Sequence, residues 1–445
     1  MIKYFAIENY RSFKDEQIFE LDLNLDKNAP YVAQPTLGIA GANASGKSNL
    51  LQALSFVLWF MQDSFLDLDE NEDIPCPAFM TRRGKPSRFH LIFTQTMPTK
   101  NEPKLIDFEY ELKLTEKKVI AEKLFYYPSG RRKIKVYSRN GNKIQYGKNI
   151  SPIKERDLRV NCSIVSFAVQ FASQEIASIC RYYKFSTNLI DKEDFETKTF
   201  LHKELETKTF LHKELKAESS SAQALIKRFK EKDQLNKVSE MIRMADVGIE
   251  KIDYSEMDRE KLPENLEKIA FFYDREEIKR EGIDEQLKFF QKSCDNLLRI
   301  IRDQAIFKHK IDNHLKDFTP DLESAGTLQF LIVLSKVIDA LDNGYLVILD
   351  EIELKLHQNL VAYIIGLFQN PSENKQGGQL IFSFHNTFFM EFLTPEQLWF
   401  TEKNEQGYTE LFSAAAFEGD IKELYQKDLE MLYRVGRFGA KPRGL

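Results

Sequence analysis

Gly41-Ala42-Asn43-Ala44-Ser45-Gly46-Lys47-Ser48 is the stretch of sequence that decides the fold. The segment 32–40 before it is apolar and is predicted to be a buried strand, whereas the segment 48–62 after it has the apolar periodicity of a helix. A glycine-rich loop between a strand and a helix points its backbone N–H groups and the helix N-terminus at one anion. The stretch therefore predicts a phosphate-binding loop in an α/β fold.

The side chains of this loop match the parts of a nucleotide. Lys47 is expected to reach the terminal phosphates, and the Ser48 hydroxyl is expected to bind Mg²⁺. A glycine-rich turn that matches the pattern by chance is the alternative. We predict ATP and Mg²⁺ as cofactors, and we predict nucleotide contacts from Gly41, Asn43, Ser45, Gly46, Lys47, Ser48 and Asn49.

The bulk composition is ordinary. The 445 residues suffice for two to three domains, and with 42% hydrophobic and 29% charged residues the net charge is −5. This balance gives no global basic footprint for nucleic acid. The start lacks a basic region followed by a long apolar run, and no stretch reaches the roughly 18 apolar residues of a membrane span. We expect a cytoplasmic protein without a membrane partner, whose isolated thiols stay reduced and bind no zinc: Cys76, Cys162, Cys180 and Cys294.

The chain around the loop predicts a β-rich N-terminal part. Segments 2–9 and 17–25 alternate as the strands of a hairpin, and four more segments downstream read as an antiparallel β lobe: 88–96, 105–115, 119–127 and 133–138. The basic cluster Arg131-Arg132-Lys133 with Lys135 suits either a phosphate backbone or a solvated hairpin tip. Segment 161–178 is expected to return to a strand and then to start a helix.

The middle of the chain changes to Lys/Glu-rich sequence. We expect an inserted helical region there, with helices at 222–244 and 285–306, but without the sustained heptads of a long coiled coil. Residues 196–205 recur identically as 206–215, which indicates a recent duplication, or a cloning or sequencing event, more than a structural repeat, and predicts a solvent-exposed position. The expected domains are 1–178, 179–318 and 319–445.

A second cluster of chemistry follows the insert. Residues 345–349 form an apolar strand that ends in Asp350 and Glu351, and we expect this strand to lie beside the strand of the phosphate loop. Asp350 would hold Mg²⁺ and Glu351 would polarise the attacking water. The next apolar strand, 379–384, ends in His385, whose imidazole can hydrogen-bond the γ-phosphate and the water. A surface Asp-Glu pair and a structural histidine are the alternatives.

The order of these motifs resembles the head of an ABC-type ATPase of the RecF/SMC/OLD branch. The resemblance rests on the opening Glu8-Asn9-Tyr10-Arg11-Ser12-Phe13, the Walker A loop 41–48, Glu323-Ser324-Ala325-Gly326-Thr327 before a helix at 328–341, the Walker B pair and His385. It implies an α/β mixed sheet with a P-loop helix, an antiparallel β lobe and an inserted helical region. It also implies nucleotide contacts from Arg11, Gln170, Ser324 and Gly326, with Gln170 also sensing Mg²⁺ and Gln174 as its alternative.

A narrower resemblance covers both terminal thirds of the chain. Segments 323–327, 349–357, 381–387 and 433–442 are similar to small AAA-family ATPases of bacterial phage defence, the group that includes AbiLi and AriA. This group implies a homo-oligomer of at least two heads, in which Ser324 and Gly326 complete a neighbour's site. It also implies a separately encoded effector such as a TOPRIM nuclease, and a phage-encoded trigger. One departure from the pattern is Glu353-Leu354-Lys355, where the family often has a second acidic residue and a serine.

Two other functions remain open at this stage. A DNA-repair ATPase that clamps duplex DNA would need a basic face, for which the sequence offers 131–135 and a tail containing Arg434, Arg437, Lys441 and Arg443. A scaffold that binds ATP without turnover would have no need of Glu351. Only about 60 residues follow His385, with strands expected at 397–402 and 408–412. We therefore expect no nuclease domain in this chain.

Overall fold

The computed structural model describes residues 1–21, 33–97, 104–128, 132–148, 150–153, 158–170, 176, 185–188, 239–241, 243, 249–254, 305–318, 325–353, 356–416 and 429–438. The strands, in chain order, are β1 (Ile2–Glu8), β2 (Gln17–Glu20), β3 (Thr36–Ala40), β4 (Ser87–Met97), β5 (Lys104–Leu114), β6 (Val119–Tyr127), β7 (Ile134–Asn140), β8 (Lys143–Tyr146), β9 (Phe185–Asn188), β10 (Ile249–Tyr254), β11 (Ala305–Ile311), β12 (His314–Phe318), β13 (Leu346–Leu349), β14 (Gln379–Ser383), β15 (Leu398–Lys403) and β16 (Thr409–Ser413). The helices are α1 (Lys47–Asp67), α2 (Ile164–Gln170), α3 (Ala325–Asn343), α4 (Gln358–Gln369) and α5 (Leu429–Arg434).

The first sheet is the antiparallel β lobe. Its seven strands follow the order β2-β1-β4-β5-β6-β7-β8, and every described pairing is antiparallel. The four strands expected from alternating sequence, at 88–96, 105–115, 119–127 and 133–138, match β4 to β7. Alternating apolar and polar residues predict these strands correctly, because one face of an antiparallel sheet is packed and the other meets water.

The second sheet carries the phosphate loop. Its order is β16-β15-β3-β14-β13-β9, with parallel pairings throughout except for β15 with β16. All residues of β3, β13 and β14 are buried, as continuous apolar strands of a parallel sheet should be. Helix α1 shares one hydrophobic cluster with both sheets, through residues such as Leu54, Phe60, Leu91 and Ile381. The phosphate-loop helix thus lies at the centre of the core.

Three expectations about elements are wrong. The strand β13, which precedes Asp350 and Glu351, does not lie beside β3, because β14 pairs with both and lies between them. Residues 161–170 contain no strand, since α2 begins at Ile164: the apolar residues Ile164, Val165, Phe167 and Ala168 recur with a helical period. The helix expected at 48–62 does not end there, because α1 continues as far as Asp67.

The chain divides into two compact units. One comprises Met1–Phe195, Val337–Leu354 and Val361–Leu445, and contains the two large sheets. The other comprises Glu196–Lys336 and Lys355–Leu360, and its described residues include the antiparallel sheet β10-β11-β12. An inserted helical region is therefore not confirmed, and Ala305 and Ile306, expected at the end of a helix, begin β11. The duplicated segment lies outside the described residues.

Among the described residues, no helix combines the length and the apolar character that crossing a membrane requires. Cys76 and Cys162 are buried free thiols, and burial raises the pKa of Cys76 to about 12 and that of Cys162 to about 11. Both are therefore unreactive at neutral pH. Cys180 and Cys294 lie outside the described residues.

A buried carboxylate neutralises part of the basic hairpin in the β lobe. Lys133 Nζ lies 2.7 Å from Glu109 Oε1, His90 Nε2 lies 3.0 Å from the same oxygen, and the Tyr127 hydroxyl donates to Oε2. Burial alone would raise the pKa of Glu109, but hydrogen bonds from His90, Lys133 and Tyr127 hold it at about 2, against 4.5 ordinarily. Glu109 therefore favours the folded state most when it is ionised.

This contact predicts a pH-dependent loss of stability. Because the folded pKa lies below the unfolded one, the contribution of Glu109 is complete above about pH 5 and is lost as the pH falls toward 2. We expect Glu109→Gln to lower the free energy of unfolding by about 2 kcal/mol at pH 7 and to flatten its acid dependence. Chemical denaturation at several pH values measures both effects. The control is Glu111→Gln. Glu111 pairs with Lys123 and is more exposed than Glu109, so this substitution should lower the free energy of unfolding by less than about 1 kcal/mol. Equal losses in the two variants at pH 7 would contradict the assignment.

Candidate nucleotide site

The site forms where three neighbouring parallel strands end. β3 runs into the glycine-rich loop, β13 runs into Asp350 and Glu351, and β14 ends two residues before His385. Because β14 lies between the other two, the carboxyl edge of the sheet collects all three groups. Sequence positions more than 330 residues apart therefore meet in space: Lys47 Nζ lies 3.4 Å from His385 Nδ1.

The glycines of the loop are required by conformation and by space. Gly46, directly before α1, has φ 119°, and Gly41 has φ 148°; both values disfavour side-chain-bearing residues. A Cβ on Gly46 would stand 2.4 Å from Thr409 Oγ1, and one on Gly41 would stand 2.4 Å from the Thr401 carbonyl oxygen. The closely packed loop directs the N-terminus of α1 toward the edge of the sheet.

Substituting Gly46 should therefore disrupt the loop. We expect Gly46→Ala to weaken ATP binding by at least about tenfold, because the alanine must leave the left-handed conformation and push Thr409 away. Fluorescent-nucleotide titration measures the loss. Gly84→Ala is the matched control, because Gly84 also has positive φ (78°) but has open space around its Cβ position. Unchanged binding by Gly46→Ala would show that the loop does not hold the nucleotide.

Lys47 is buried at the start of α1, with only 5% of its surface exposed. Its Nζ donates to the carbonyl oxygens of Gly41 at 2.8 Å and Ala42 at 3.2 Å. Burial lowers the pKa of Lys47, while the charges of Asp350, Glu351 and Glu353 act in the opposite direction. Lys47 is therefore a buried ammonium group within electrostatic reach of three carboxylates, which is a local arrangement suited to phosphate and Mg²⁺ charges.

Ser383, the last residue of β14, organises the acidic pair. Its Oγ donates to Asp350 Oδ1 and accepts the backbone N–H of Glu351 at 2.8 Å. Glu351 has φ 47°, a conformation that costs a non-glycine residue about 1 kcal/mol or more and concentrates at functional sites. The turn directly after β13 therefore gives the two carboxylates different partners. Asp350 accepts a hydrogen bond from Ser383, whereas Glu351 faces His385.

His385 connects the lysine and the carboxylate. Its Nδ1 faces Lys47 Nζ at 3.4 Å, and its Nε2 lies 3.3 Å from Glu351 Oε1. The imidazole is partly exposed, unlike the strand residues before it. An imidazole between an ammonium group and a carboxylate can exchange hydrogen bonds with a phosphate oxygen or a water molecule. The structure thus brings Lys47, Asp350, Glu351 and His385 together.

The remaining loop residues are held by the surrounding strands. Ser45 Oγ lies 2.6 Å from Thr401 Oγ1, and Asn49 Nδ2 donates to Ser12 Oγ at 2.8 Å, so both side chains support the loop. Asn43 is exposed at the tip and Ser48 is half-buried in the first turn of α1. The donor set fits a Mg²⁺-bound nucleotide: Ser48 and Asp350 offer the oxygen ligands that Mg²⁺ prefers.

Arg11 lies at a separate cleft beside the loop. The cleft, about 720 Å³ in volume, is lined by Arg11, Ser12, Asn49, Lys403 and Tyr408 among others. Arg11 has φ 47° and its Nε donates to the Tyr10 hydroxyl at 3.3 Å. Ser12 links this cleft to the loop through Asn49 and through Thr409, 2.8 Å away. A nucleotide contact from Arg11 stays a prediction.

Four predicted residues are placed only in part or lie outside the described residues. Gln170 is the last residue of α2 and Gly326 lies in the first turn of α3, and nothing is described of the Gln170 side chain. Ser324 and the alternative Gln174 lie outside the described residues. The nucleotide contacts proposed for these residues stay predictions.

Sequence reasoning missed the supports of the site. Ser383 holds Asp350 and Glu351, whereas Thr409 donates to the Ser45 carbonyl oxygen at 2.7 Å and its Oγ1 lies 2.8 Å from Ser12 Oγ. Ser383 carried one signal, because it is a polar residue inside the otherwise apolar run 380–384. Thr409 carried none, since a threonine in an edge strand is ordinary.

A comparison with known protein families matches most of the chain to one family. Residues 37–156 and 180–391 match the family described as "AAA domain, putative AbiEii toxin, Type IV TA system", and these ranges include the glycine-rich loop, the acidic pair and His385. No curated protein matches the chain. Because the match covers most of the chain, the protein belongs to this family of AAA-domain ATPases associated with toxin–antitoxin systems.

Proposed function

We propose that the chain hydrolyses ATP at the edge formed by the glycine-rich loop, Asp350, Glu351 and His385. One observation carries the proposal: a buried lysine, two carboxylates and a histidine converge where three adjacent parallel strands end. This combination supplies a phosphate cradle, Mg²⁺ ligands and a base, which are the parts that phosphoryl transfer to water requires.

Each residue has a distinct role in this proposal. Lys47 and the loop amides bind the phosphates, while Ser48 and Asp350 hold Mg²⁺, which neutralises phosphate charge. Glu351 accepts a proton from the attacking water, and His385 holds its imidazole between Glu351 and Lys47, where it senses the terminal phosphate. Gln170 is proposed as a further sensor of Mg²⁺.

ATP is further proposed to control assembly. Ser324 directly precedes α3, and Gly326 is the second residue of this helix. In a head of this class both residues would complete the nucleotide site of a second copy of the chain. ATP would then hold two heads together, and hydrolysis would release them. The nucleotide state would set the state of the oligomer.

The biological role that we propose is phage defence by abortive infection. The family's association with toxin–antitoxin systems supports it. In this scheme the oligomer holds a separately encoded toxic effector, such as a TOPRIM nuclease, and frees or activates it when a phage-encoded trigger arrives. A DNA clamp is less favoured, because Lys133 of the basic hairpin is already paired with Glu109 and lies 4.1 Å over the Phe125 ring.

Co-purification tests this role. Tagged Glu351→Gln is expressed from its native operon and purified with ATP and Mg²⁺, with Lys47→Ala as the control that should not bind nucleotide. We expect Glu351→Gln to elute as an oligomer carrying the neighbouring gene product at fixed stoichiometry, and Lys47→Ala to elute without it. Recovery of DNA alone would indicate a clamp and overturn the defence role. Identical assembly of the two variants would refute nucleotide control.

A further inference from the structure

Glu353 makes a contact that the roles above do not use. It lies three residues after Asp350, and its Oε1 accepts hydrogen bonds from two consecutive backbone amides, those of His385 and Asn386, the second at 3.3 Å. One carboxylate oxygen thus binds the backbone of the residue whose imidazole faces Lys47 and Glu351. Charge-assisted bonds of this kind are about twice as strong as neutral ones.

The backbone on either side of His385 is held by other contacts: Phe384 is buried and its N–H donates to the Ile39 carbonyl oxygen at 3.1 Å, and Thr387 Oγ1 donates to Glu430 Oε1 at 2.5 Å. β14 ends at Ser383, and the His385 side chain is partly exposed, so packing alone does not fix the imidazole. Beyond it, Asn386 accepts the Phe388 N–H at 3.1 Å, which starts the short 3-10 helix Thr387–Phe392. The Glu353 contact lies between the strand and this helix, at the point that decides the direction of the His385 side chain.

We propose that Glu353 is a positioning residue that holds the backbone of His385 so that the imidazole stays between Lys47 and Glu351. This inference rests on the proposed ATP hydrolysis, and Glu353 acts through His385 without touching the nucleotide. It also gives a role to Glu353 in the segment Glu353-Leu354-Lys355, where the sequence departs from the family pattern. The turn after the Asp-Glu pair and the loop after β14 are joined by a side-chain bond, so a shift in one moves the other.

Three substitutions separate positioning from charge. Glu353→Gln removes the charge but keeps an oxygen that can accept both amides, whereas Glu353→Ala removes the acceptor. We expect Glu353→Ala to lower kcat by about 10- to 100-fold with KM for ATP changed less than about threefold, and Glu353→Gln to retain most of the activity. Glu391→Ala is the matched control, because Glu391 is an exposed carboxylate in the 3-10 helix Thr387–Phe392 that follows His385.

A double-mutant cycle and hydrogen exchange complete the test. If Glu353 acts through His385, Glu353→Ala should cause no further loss of kcat in a His385→Ala background. Independently of turnover, the amides of His385 and Asn386 should exchange faster in Glu353→Ala than in wild type, Glu353→Gln or Glu391→Ala. Additive losses of kcat, or unchanged exchange in Glu353→Ala, would overturn the proposal. Absence of turnover in the wild type would instead refute the proposed function, while the exchange measurement would still test the contact.

Discussion

Glu351→Gln is expected to lower kcat for ATP hydrolysis by about 10²- to 10⁴-fold, the usual contribution of a general base. The amide cannot accept a proton from water, but it keeps the size of Glu351 and can still face His385 Nε2, 3.3 Å away. The variant should therefore bind ATP within about threefold of the wild-type Kd. Phosphate release and calorimetric titration measure the two quantities.

The control for this prediction is Glu405→Gln, an exposed carboxylate in the turn between β15 and β16. It should leave both kcat and Kd unchanged. Wild-type turnover in Glu351→Gln would show that another group accepts the proton. A loss of ATP binding in Glu351→Gln would place this carboxylate among the structural supports of the site instead.

Lys47→Ala has the second large expected effect. Its Nζ is buried and lies beside the loop carbonyls, His385 and the field of three carboxylates. Removing this cation leaves the phosphate charge next to Asp350 and Glu351 without a compensating lysine. Truncating one partner of a buried charge pair costs roughly 2–5 kcal/mol, so ATP affinity should fall by about 30-fold to several thousand-fold.

Titration calorimetry with ATP and Mg²⁺ measures this loss. Lys85→Ala, which removes an exposed lysine of the same unit, is the control and should bind as the wild type does. Circular dichroism confirms that both variants are folded. Wild-type affinity in a folded Lys47→Ala would contradict the assignment of the loop.

The sequence predicted which residues meet at this edge of the sheet better than it predicted the order of the strands. The loop, the acidic pair and His385 each follow an apolar strand, and such local patterns are visible in one sequence. The order of the strands depends on residues far apart in the chain, because hydrogen bonding across the sheet puts β14 between β3 and β13. The sequences of 345–349 and 379–384 do not indicate which strands they pair with. The support from Ser383 depends on that order, and its one signal in the sequence was a polar residue in an apolar strand; the support from Thr409 carried no signal.

Two other differences between the expected and the observed elements follow from packing and from strand pairing. Segment 161–170 contains polar Asn161, Ser163 and Ser166 among apolar residues, which allows a strand or a helix to be read, and packing against α1 selects the helix. In the middle of the chain, Lys/Glu-rich composition indicated helices, yet β10, β11 and β12 pair as an antiparallel sheet. Composition reports exposure there, whereas the pairing of β10 with β11 depends on partners more than 50 residues apart.

The central claim is that one site, built from the loop of β3 and the ends of β13 and β14, hydrolyses ATP. Single-turnover hydrolysis of γ-labelled ATP by the purified wild-type chain, Lys47→Ala and Glu351→Gln, with and without Mg²⁺, tests it most directly. The account predicts Mg²⁺-dependent phosphate release by the wild type alone, with bound but intact ATP in Glu351→Gln and no bound ATP in Lys47→Ala. No release by the wild type, or equal release by all three proteins, would contradict it.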